Sequence, residues 1–172
     1  LVGDLTLAQA QAISEKVTAR LPRGTTAAKT VNPIARSASQ THIEFPSTQT
    51  QIFLAQLAVK RGDPDYPALF LGNQIFGGGG FGTRLMEEVR EKRGLTYGIY
   101  SSFSPMQAAG PFMISVKTRA QLSQATLEFI QELLRDYIAN GPTQSELDRA
   151  KRERLGSFTL SAASNASIVG QM

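Results

Sequence analysis

The sequence predicts an α+β fold in which a mixed, largely antiparallel sheet is covered by helices on one face. Two strand-like segments, 95–103 and 112–117, flank a turn at Gly110-Pro111 and predict a hairpin. Two helix-like segments follow this hairpin, and runs of strands followed by runs of helices are typical of the class. Because 172 residues suit one domain of ordinary size, we expect a single domain over 1–172, truncated at both ends.

The composition excludes several classes of protein. The chain is 41% hydrophobic and 19% charged, as in globular proteins, and it contains no cysteine, so disulfides and thiolate nucleophiles are excluded. No stretch approaches the roughly 20 apolar residues of a membrane span, so we expect a soluble chain. The net charge of +4 comes from basic residues mixed with acidic ones, and we therefore expect no nucleic-acid partner. The compartment is not predicted, and both a bacterial-type periplasm and a cytoplasm fit.

The first sixty residues predict one helix and two strands. Thr6 and Gln9 form a capping box for a helix that ends near Arg20. Residues 40–45 alternate and predict a strand, whereas the apolar run within 50–59 predicts a strand covered on both faces. The Thr-, Ala- and Ser-rich segment 25–39 between them predicts a loop or extended arm.

The rest of the chain predicts four more helices besides the hairpin. They span 65–76, 83–92, 120–139 and 143 to about 158. Gly94 is expected to end the short second helix in the left-handed conformation. Thr143 and Glu146 form a capping box for the last helix.

A catalytic zinc site cannot be built from this sequence. Such a site takes about three protein ligands drawn mostly from His, Cys and carboxylates, and the known zinc-peptidase helices carry two histidines. His42 is the single histidine, and it is expected to be an ordinary residue of the strand 40–45. We therefore predict no metal site in this chain.

The glycine run Gly77, Gly78, Gly79 and Gly80 is open to three interpretations. With Gly82, the run satisfies the dinucleotide-binding spacing G-x-G-x-x-G, but a helix is predicted before it where that motif needs a strand. Nucleotide binding is therefore the weakest interpretation. A flexible link between two helices and a functional hinge that adapts to a ligand are equally supported by the residues alone.

The segment 83–97, Thr-Arg-Leu-Met-Glu-Glu-Val-Arg-Glu-Lys-Arg-Gly-Leu-Thr-Tyr, resembles the C-terminal-type domain of the pitrilysin family. These inverzincin peptidases include insulin-degrading enzyme and the mitochondrial processing peptidase. The resemblance covers most of the chain. Its other matching pieces are Val2-Gly3-Asp4, the strand around 51–53, the glycine-rich 76–84, and 141–143 with 146–147.

The resemblance implies a divided active site. In active family members the zinc lies in another domain, and an arginine and a tyrosine at the positions of Arg90 and Tyr97 reach it and contact substrate near the scissile bond. Without the resemblance, Arg90 would be interpreted as a cap of its helix and Tyr97 as a packed strand aromatic. The resemblance also implies that Gly77 to Gly80 form a hinge or substrate gate.

We therefore expect the non-catalytic, substrate-binding half of a zinc metalloendopeptidase. It would be inactive alone and would complete the site of a zinc-bearing partner domain or subunit, in a homo- or heterodimer, that hydrolyses unstructured peptides. Strand addition at a sheet edge would bind the peptide backbone. The alternative is a structural or assembly subunit of the same fold that has no role in proteolysis.

Overall fold

A computed structural model describes residues 1–29 and 31–171. Thr30, within the predicted arm, and Met172, at the end of the chain, lie outside the described residues. The described residues form two compact units, one of residues 1–29 with 152–171 and one of residues 31–151. The expectation of one domain over the whole chain stays a prediction.

The larger unit is built on a three-stranded antiparallel sheet. Its strands are β1 (Gln49–Leu57), β2 (Thr96–Phe103) and β3 (Pro111–Arg119), in the order β1-β3-β2. In the middle of the sheet, Ser115 of β3 pairs with Phe53 on one side and Tyr100 on the other. The predicted hairpin between β2 and β3 is confirmed.

The helices of this unit include two π-helical turns. α2 spans Tyr66–Asn73 and continues into the first π-turn, Gln74–Gly78, and the second π-turn spans Met86–Glu91. A short 3-10 turn, Ala120–Leu122, leads into α3, Ser123–Asn140, and α4 spans Gln144–Ser161. The helices predicted over 65–76, 83–92, 120–139 and from 143 are thus confirmed, with shifted ends.

The core lies between the helices and one face of the sheet. β3 alternates, so that Phe112, Ile114 and Val116 are buried on that face, and Ile130 of α3 packs against them. Val89 of the second π-turn joins the same cluster with 0% exposure. Burial of side chains of this size contributes about 1.5–3 kcal/mol each relative to exposure. The predicted α+β class, with helices on one face, is confirmed.

Two predictions for the strands are wrong. Residues 40–45 form no strand, and Ile43 and Phe45 are 81% and 77% exposed, because no strand among the described residues pairs with their backbone. β1 is not covered on both faces: Ile52 packs against the core, whereas Phe53 on the opposite face is 63% exposed. The apolar run reflects one buried and one open face.

The smaller unit contains α1 (Leu7–Thr18), the last part of α4, and α5 (Asn165–Gln171). The predicted capping box of α1 is confirmed, since Thr6 N–H donates to Gln9 Oε1 at 2.8 Å and Gln9 N–H donates to Thr6 Oγ1 at 3.3 Å. α5 was not predicted, because its small residues give no clear period. Every helix within 1–29 and 31–171 falls short of the length and apolarity of a membrane span.

Candidate functional site

Arg90 lies in the second π-turn, next to residues that anchor this turn to the core. Met86 and Val89 are 2% and 0% exposed, and both belong to the core cluster. The wider π-helical hydrogen bonding is visible where Lys92 N–H donates to the Glu87 carbonyl, five residues earlier, at 2.9 Å. Such turns are rare and are frequent at functional sites. The Arg90 side chain is 25% exposed.

Tyr97 projects from the start of β2. Gly94, with φ of +59°, ends the helical segment in the predicted left-handed conformation, and β2 begins two residues later. The Tyr97 side chain is 89% exposed, so it is not the packed strand aromatic of the alternative interpretation. Within the described residues, no group forms a hydrogen bond with its hydroxyl, which is therefore available to a ligand.

The structure brings Arg90 and Tyr97 together and adds a third residue, Phe81. The Arg90 Cζ lies 5.1 Å from the centroid of the Tyr97 ring and 5.0 Å from that of Phe81. Each contact is a cation–π interaction, worth roughly 0.5–1 kcal/mol at an exposed site. Phe81 is 79% exposed. We call Phe81, Arg90 and Tyr97 the arginine stack.

The charge of Arg90 is only weakly compensated. Its nearest carboxylate is that of Glu91, which is 61% exposed, with Oε1 3.4 Å from the Arg90 Nε. In residues 31–151, no helix carbonyl accepts a hydrogen bond from this guanidinium, so the alternative interpretation of Arg90 as a helix cap is not supported. Arg90 can thus present several donors to a peptide carbonyl.

Phe81 is a member of the site that the sequence did not predict. Its signal is local: an aromatic residue sits between Gly80 and Gly82, whose φ angles are +77° and +85°. Both positive φ angles are conformations that glycine adopts readily, and the chain turns there with the Phe81 ring exposed. The sequence signal is therefore a phenylalanine between two glycines, whereas its partner Arg90 is nine positions away and follows only from the fold.

The glycine run has two structural roles, and its first half is not the flexible link considered above. Gly77 and Gly78 belong to the first π-turn. A Cβ at Gly77 would lie 2.5 Å from Ser101 Oγ and 2.6 Å from Leu85 Cδ1, so the close packing there requires glycine. Gly80 instead needs its positive φ and has open space around it. The hinge or gate assigned to Gly77–Gly80 stays a prediction.

A buried polar pair holds the first π-turn against β2. Ser101 Oγ donates to Asn73 Oδ1 at 2.6 Å, and Asn73 Nδ2 donates to the Ser101 carbonyl at 3.1 Å. Both residues are buried, with 8% and 4% exposure. Because leaving either group unpaired would cost about 1–3 kcal/mol, the pair fixes where the glycine-rich stretch begins.

The other end of this stretch is held by Arg84 and Arg149. Arg84 donates from Nε and Nη2 to the two oxygens of Glu146, at 2.7 and 2.8 Å, and from Nη2 to the Gly141 carbonyl at 3.1 Å. Arg149 Nη2 donates to the Gly82 carbonyl at 2.6 Å. A bidentate arginine–carboxylate pair of this kind is geometrically specific. We call Arg84 and Glu146 the Arg84 clamp.

Glu146 also completes the predicted capping box of α4. Its Oε2 accepts from Thr143 N–H at 2.7 Å, and Thr143 Oγ1 accepts from Glu146 N–H at 3.3 Å. The hydrogen bonds from Arg84, followed by those from Thr143, lower the pKa of the Glu146 carboxyl to about 2. The same pair raises the pKa of Arg84. The capping role was predicted, whereas the Arg84 contact, 62 positions away, was not.

The described residues do not fit a zinc site. Within them, no three His, Cys, Asp or Glu side chains are grouped closely enough to hold a metal ion. The side chain of His42 is 66% exposed and contacts Glu44, with 3.0 Å between its Nε2 and the Glu44 Oε1. It is not the strand residue that was predicted. The helix α2 precedes the glycine run, so the strand of a dinucleotide-binding motif is absent from residues 31–151.

Comparison with known proteins supplies a family and several relatives. A family model for the peptidase M16 inactive domain matches residues 1–154. A crystal structure of a peptidase M16 inactive domain from Pseudomonas fluorescens is 61% identical, with a TM-score of 0.89 over 99% of this chain and 40% of that chain.

Two curated relatives carry contrasting names. The Helicobacter pylori protein named non-peptidase homolog YmxG is 39% identical over 85 residues, which are 48% of this chain and 19% of the relative. The Bacillus subtilis protein named uncharacterized zinc protease YmxG is 36% identical over 102 residues, 59% of this chain and 24% of the relative. The chain thus spans less than half of these longer proteins.

Proposed function

The chain belongs to the peptidase M16 family, as one of its inactive domains, and from this premise we propose that it is the substrate-binding half of a divided zinc peptidase. The resemblance to the pitrilysin family is thereby confirmed, and the proposal concerns what this domain contributes. It would supply Arg90 and Tyr97 to a zinc site held by a partner domain or subunit. The substrate would be an unstructured peptide.

The arginine stack is the observation that carries the proposal. It places a guanidinium with little carboxylate compensation beside a phenol that is 89% exposed. Tyr97 lies at the surface, and Arg90, with a side chain 25% exposed, is held mainly by the two rings. An arginine and a tyrosine held in contact and left accessible are suited to binding something outside this chain.

Both side chains can donate hydrogen bonds to the backbone of a peptide while it is being hydrolysed. The Arg90 fork can donate to peptide carbonyls and orient them. The Tyr97 hydroxyl can donate to the oxyanion that develops on the scissile carbonyl, and loss of one such donor typically costs about 10²- to 10³-fold in rate. Both contacts involve backbone atoms, so they would tolerate many peptide sequences.

The metal is assigned to the partner. The B. subtilis relative is named a zinc protease, and the residues described here do not form a metal site. This chain would therefore be inactive alone. Its contribution is limited to binding and orienting the peptide and to donating a hydrogen bond from the Tyr97 hydroxyl.

A second candidate function is that of an assembly subunit without a role in proteolysis. The observation that favours it is the relative from H. pylori, which is named a non-peptidase homolog. In that case the arginine stack would serve an interface between subunits, and changes at Tyr97 would alter association without changing any cleavage.

The test is cleavage of a quenched fluorescent, unstructured peptide by the complete protein together with its zinc-bearing partner. Tyr97→Phe is expected to lower kcat by about 100-fold, because it removes the hydroxyl and keeps the ring. Tyr66→Phe, a phenol in α2 outside the site, is the matched control and should retain full activity. If both variants cleave like the wild type, Tyr97 is structural and the assembly function is favoured.

A further inference from the structure

The open face of the sheet, opposite the helices, carries a groove of about 650 Å³. It extends from Tyr97 along the sheet towards the end of β3. The residues that characterise its lining are Gln49, Gln51, Tyr97, Tyr100, Lys117 and Arg119. Because Tyr97 belongs both to this groove and to the arginine stack, the groove continues directly from the candidate site.

Two cations lie side by side on the groove floor. Lys117 and Arg119 are two positions apart on β3, so their side chains are on the same face, with Cα atoms about 6.7 Å apart. Within the described residues, no carboxylate pairs with either of them, and no acidic residue lines the groove. The two positive charges are therefore uncompensated.

The neighbours across the strand pair are neutral. Gln49 pairs with Arg119, and Gln51 pairs with Lys117. The Gln51 amide nitrogen already donates to the Val116 carbonyl at 3.0 Å and to Ser115 Oγ at 3.1 Å. The two glutamine side chains make this side of the groove polar but add no negative charge to it. A concave surface with one sign of charge favours a ligand of the opposite sign.

The geometry points to a subsite for a carboxylate of a bound peptide between Lys117 and Arg119. We infer that this groove selects acidic peptides, an inference that rests on the proposed peptide-binding function. In the β-ladder Thr96 pairs with Thr118 and Ile99 pairs with Val116, and the register shift between these two pairs places Tyr97 and Gly98 together on the strand next to Lys117. An extended peptide held at Tyr97 would thus reach the cations within about two residues.

The aromatic side of the groove suits the rest of such a peptide. Tyr100 is 54% exposed, and its ring lies over Gly98, where an added Cβ would be 3.2 Å from Tyr100 Cε2. The absence of a side chain at Gly98 lets the ring lie flat along β2. An apolar residue beside the acidic one would contact this ring, so the groove is expected to take acidic residues in an aromatic or aliphatic context.

The inference is tested by binding, which does not depend on cleavage. Three dye-labelled, unstructured dodecapeptides that differ only in a central Glu, Gln or Lys pair are titrated into the complete protein, and fluorescence anisotropy gives Kd. The Glu peptide is expected to bind about 3- to 10-fold more tightly than the Gln peptide, and the Lys peptide more weakly. Raising the ionic strength from low salt should reduce this preference.

Charge reversal supplies the control. Lys117→Glu with Arg119→Glu should remove or invert the preference for Glu. Lys60→Glu with Arg135→Glu changes the net charge by the same amount at exposed positions outside the groove. This control variant should keep the preference for the Glu peptide. Thermal melting checks folding, and Lys117→Gln with Arg119→Gln provides a milder pair, expected to equalise the Glu and Gln peptides. Equal Kd values for these peptides in the wild type, or equal effects of both double reversals, would overturn the inference.

Peptides with free and amidated C-termini separate two sources of the carboxylate. If amidation leaves the advantage of the Glu peptide unchanged, the site takes an acidic side chain. If amidation weakens the Gln peptide by about as much as the change from Glu to Gln does, the same site also takes the C-terminal carboxylate. A wild-type protein that prefers Glu peptides but shows no Tyr97-dependent cleavage would contradict the proposed function while supporting this carboxylate subsite.

Discussion

Arg84 and Arg90 lie six residues apart in the same segment and have opposite environments. Arg84 is bidentate with Glu146 and lies 4.9 Å above the Tyr137 ring, with a side chain 20% exposed. Arg90 lies between two exposed rings and has only the exposed Glu91 at 3.4 Å. The first arginine is held by a carboxylate of low exposure, whereas the second is held mainly by aromatic rings and has only an exposed carboxylate beside it.

The other cations of the segment sharpen this contrast. Lys92 lies 2.6 Å from Glu88, and Arg93 lies 2.8 Å from the same carboxylate. These bonds, that of Lys92 first, lower the pKa of Glu88. Arg90 is thus the cation of 84–93 that is held mainly by aromatic rings. A fixed guanidinium without a strong internal partner is the arrangement expected for binding an external carbonyl.

The largest expected effect tests this division at Arg90. Arg90→Ala should lower kcat/KM for an unstructured peptide by about 100-fold or more, because the fork of donors is lost. The melting temperature should fall by no more than about 2–6 °C, because the two cation–π contacts that are lost are worth roughly 0.5–1 kcal/mol each. Arg90→Lys, which keeps the charge but not the fork, should be intermediate.

Arg135→Ala is the matched control for that experiment, because Arg135 is an exposed arginine of α3. It should change neither kcat/KM nor the melting temperature. Full activity of Arg90→Ala would contradict a substrate-binding role and favour the assembly function. A large loss of stability in Arg90→Ala would instead show that Arg90, like Arg84, helps to hold the fold together.

Removal of the Arg84 clamp is expected to act on stability. Arg84→Ala should lower the free energy of unfolding by about 2 kcal/mol, because the carboxylate of Glu146, 18% exposed, loses its bidentate partner. Urea denaturation measures this, and a double-mutant cycle with Glu146→Gln should give a coupling of about 1 kcal/mol or more. Additive effects of the two changes would refute the clamp.

The clamp also predicts acid sensitivity. The pKa of Glu146 is about 2 in the folded chain, below its ordinary value of 4.5, so its contribution to stability is complete above pH 4.5. This contribution is lost as the pH falls from 4.5 towards 2, and we expect a loss of about 2 kcal/mol. Glu146→Gln should have a shallower stability profile over this pH range. Parallel profiles for wild type and variant would exclude Glu146 as the source.

The sequence predicted the parts of this comparison that depend on local pattern. Gly94 and the Thr143–Glu146 capping box follow from short-range rules, and both are confirmed. Arg90 and Tyr97 were singled out by resemblance, and the contact between their side chains emerged only with the fold. The partner of Arg84 could not be predicted, because Glu146 satisfies its local capping role equally well without an arginine.

The predictions that differ from the structure depended on contacts between residues distant in sequence. The alternation of residues 40–45 favours a strand, but a strand forms only where a neighbour accepts its hydrogen bonds, and the described residues offer none there. The glycine run was compatible with a flexible link, whereas Ser101 and Leu85 approach Gly77 so closely that only glycine fits there. In both cases the deciding atoms are distant in sequence.

The smallest expected effect concerns Phe81, the residue that links the glycine-rich stretch to Arg90. Loss of one exposed cation–π contact is worth roughly 0.5–1 kcal/mol, so Phe81→Ala should raise KM by about 2- to 5-fold with little change in kcat. Phe81→Tyr keeps a ring and should restore the wild-type KM, whereas Phe81→Leu, which is apolar but not aromatic, should not. Nitrogen NMR of the Arg90 Nε–H gives an independent readout, because a ring above the guanidinium shifts that resonance. If Phe81→Leu shows wild-type KM and an unshifted resonance, the ring is not what positions Arg90, and Tyr97 alone would hold the guanidinium.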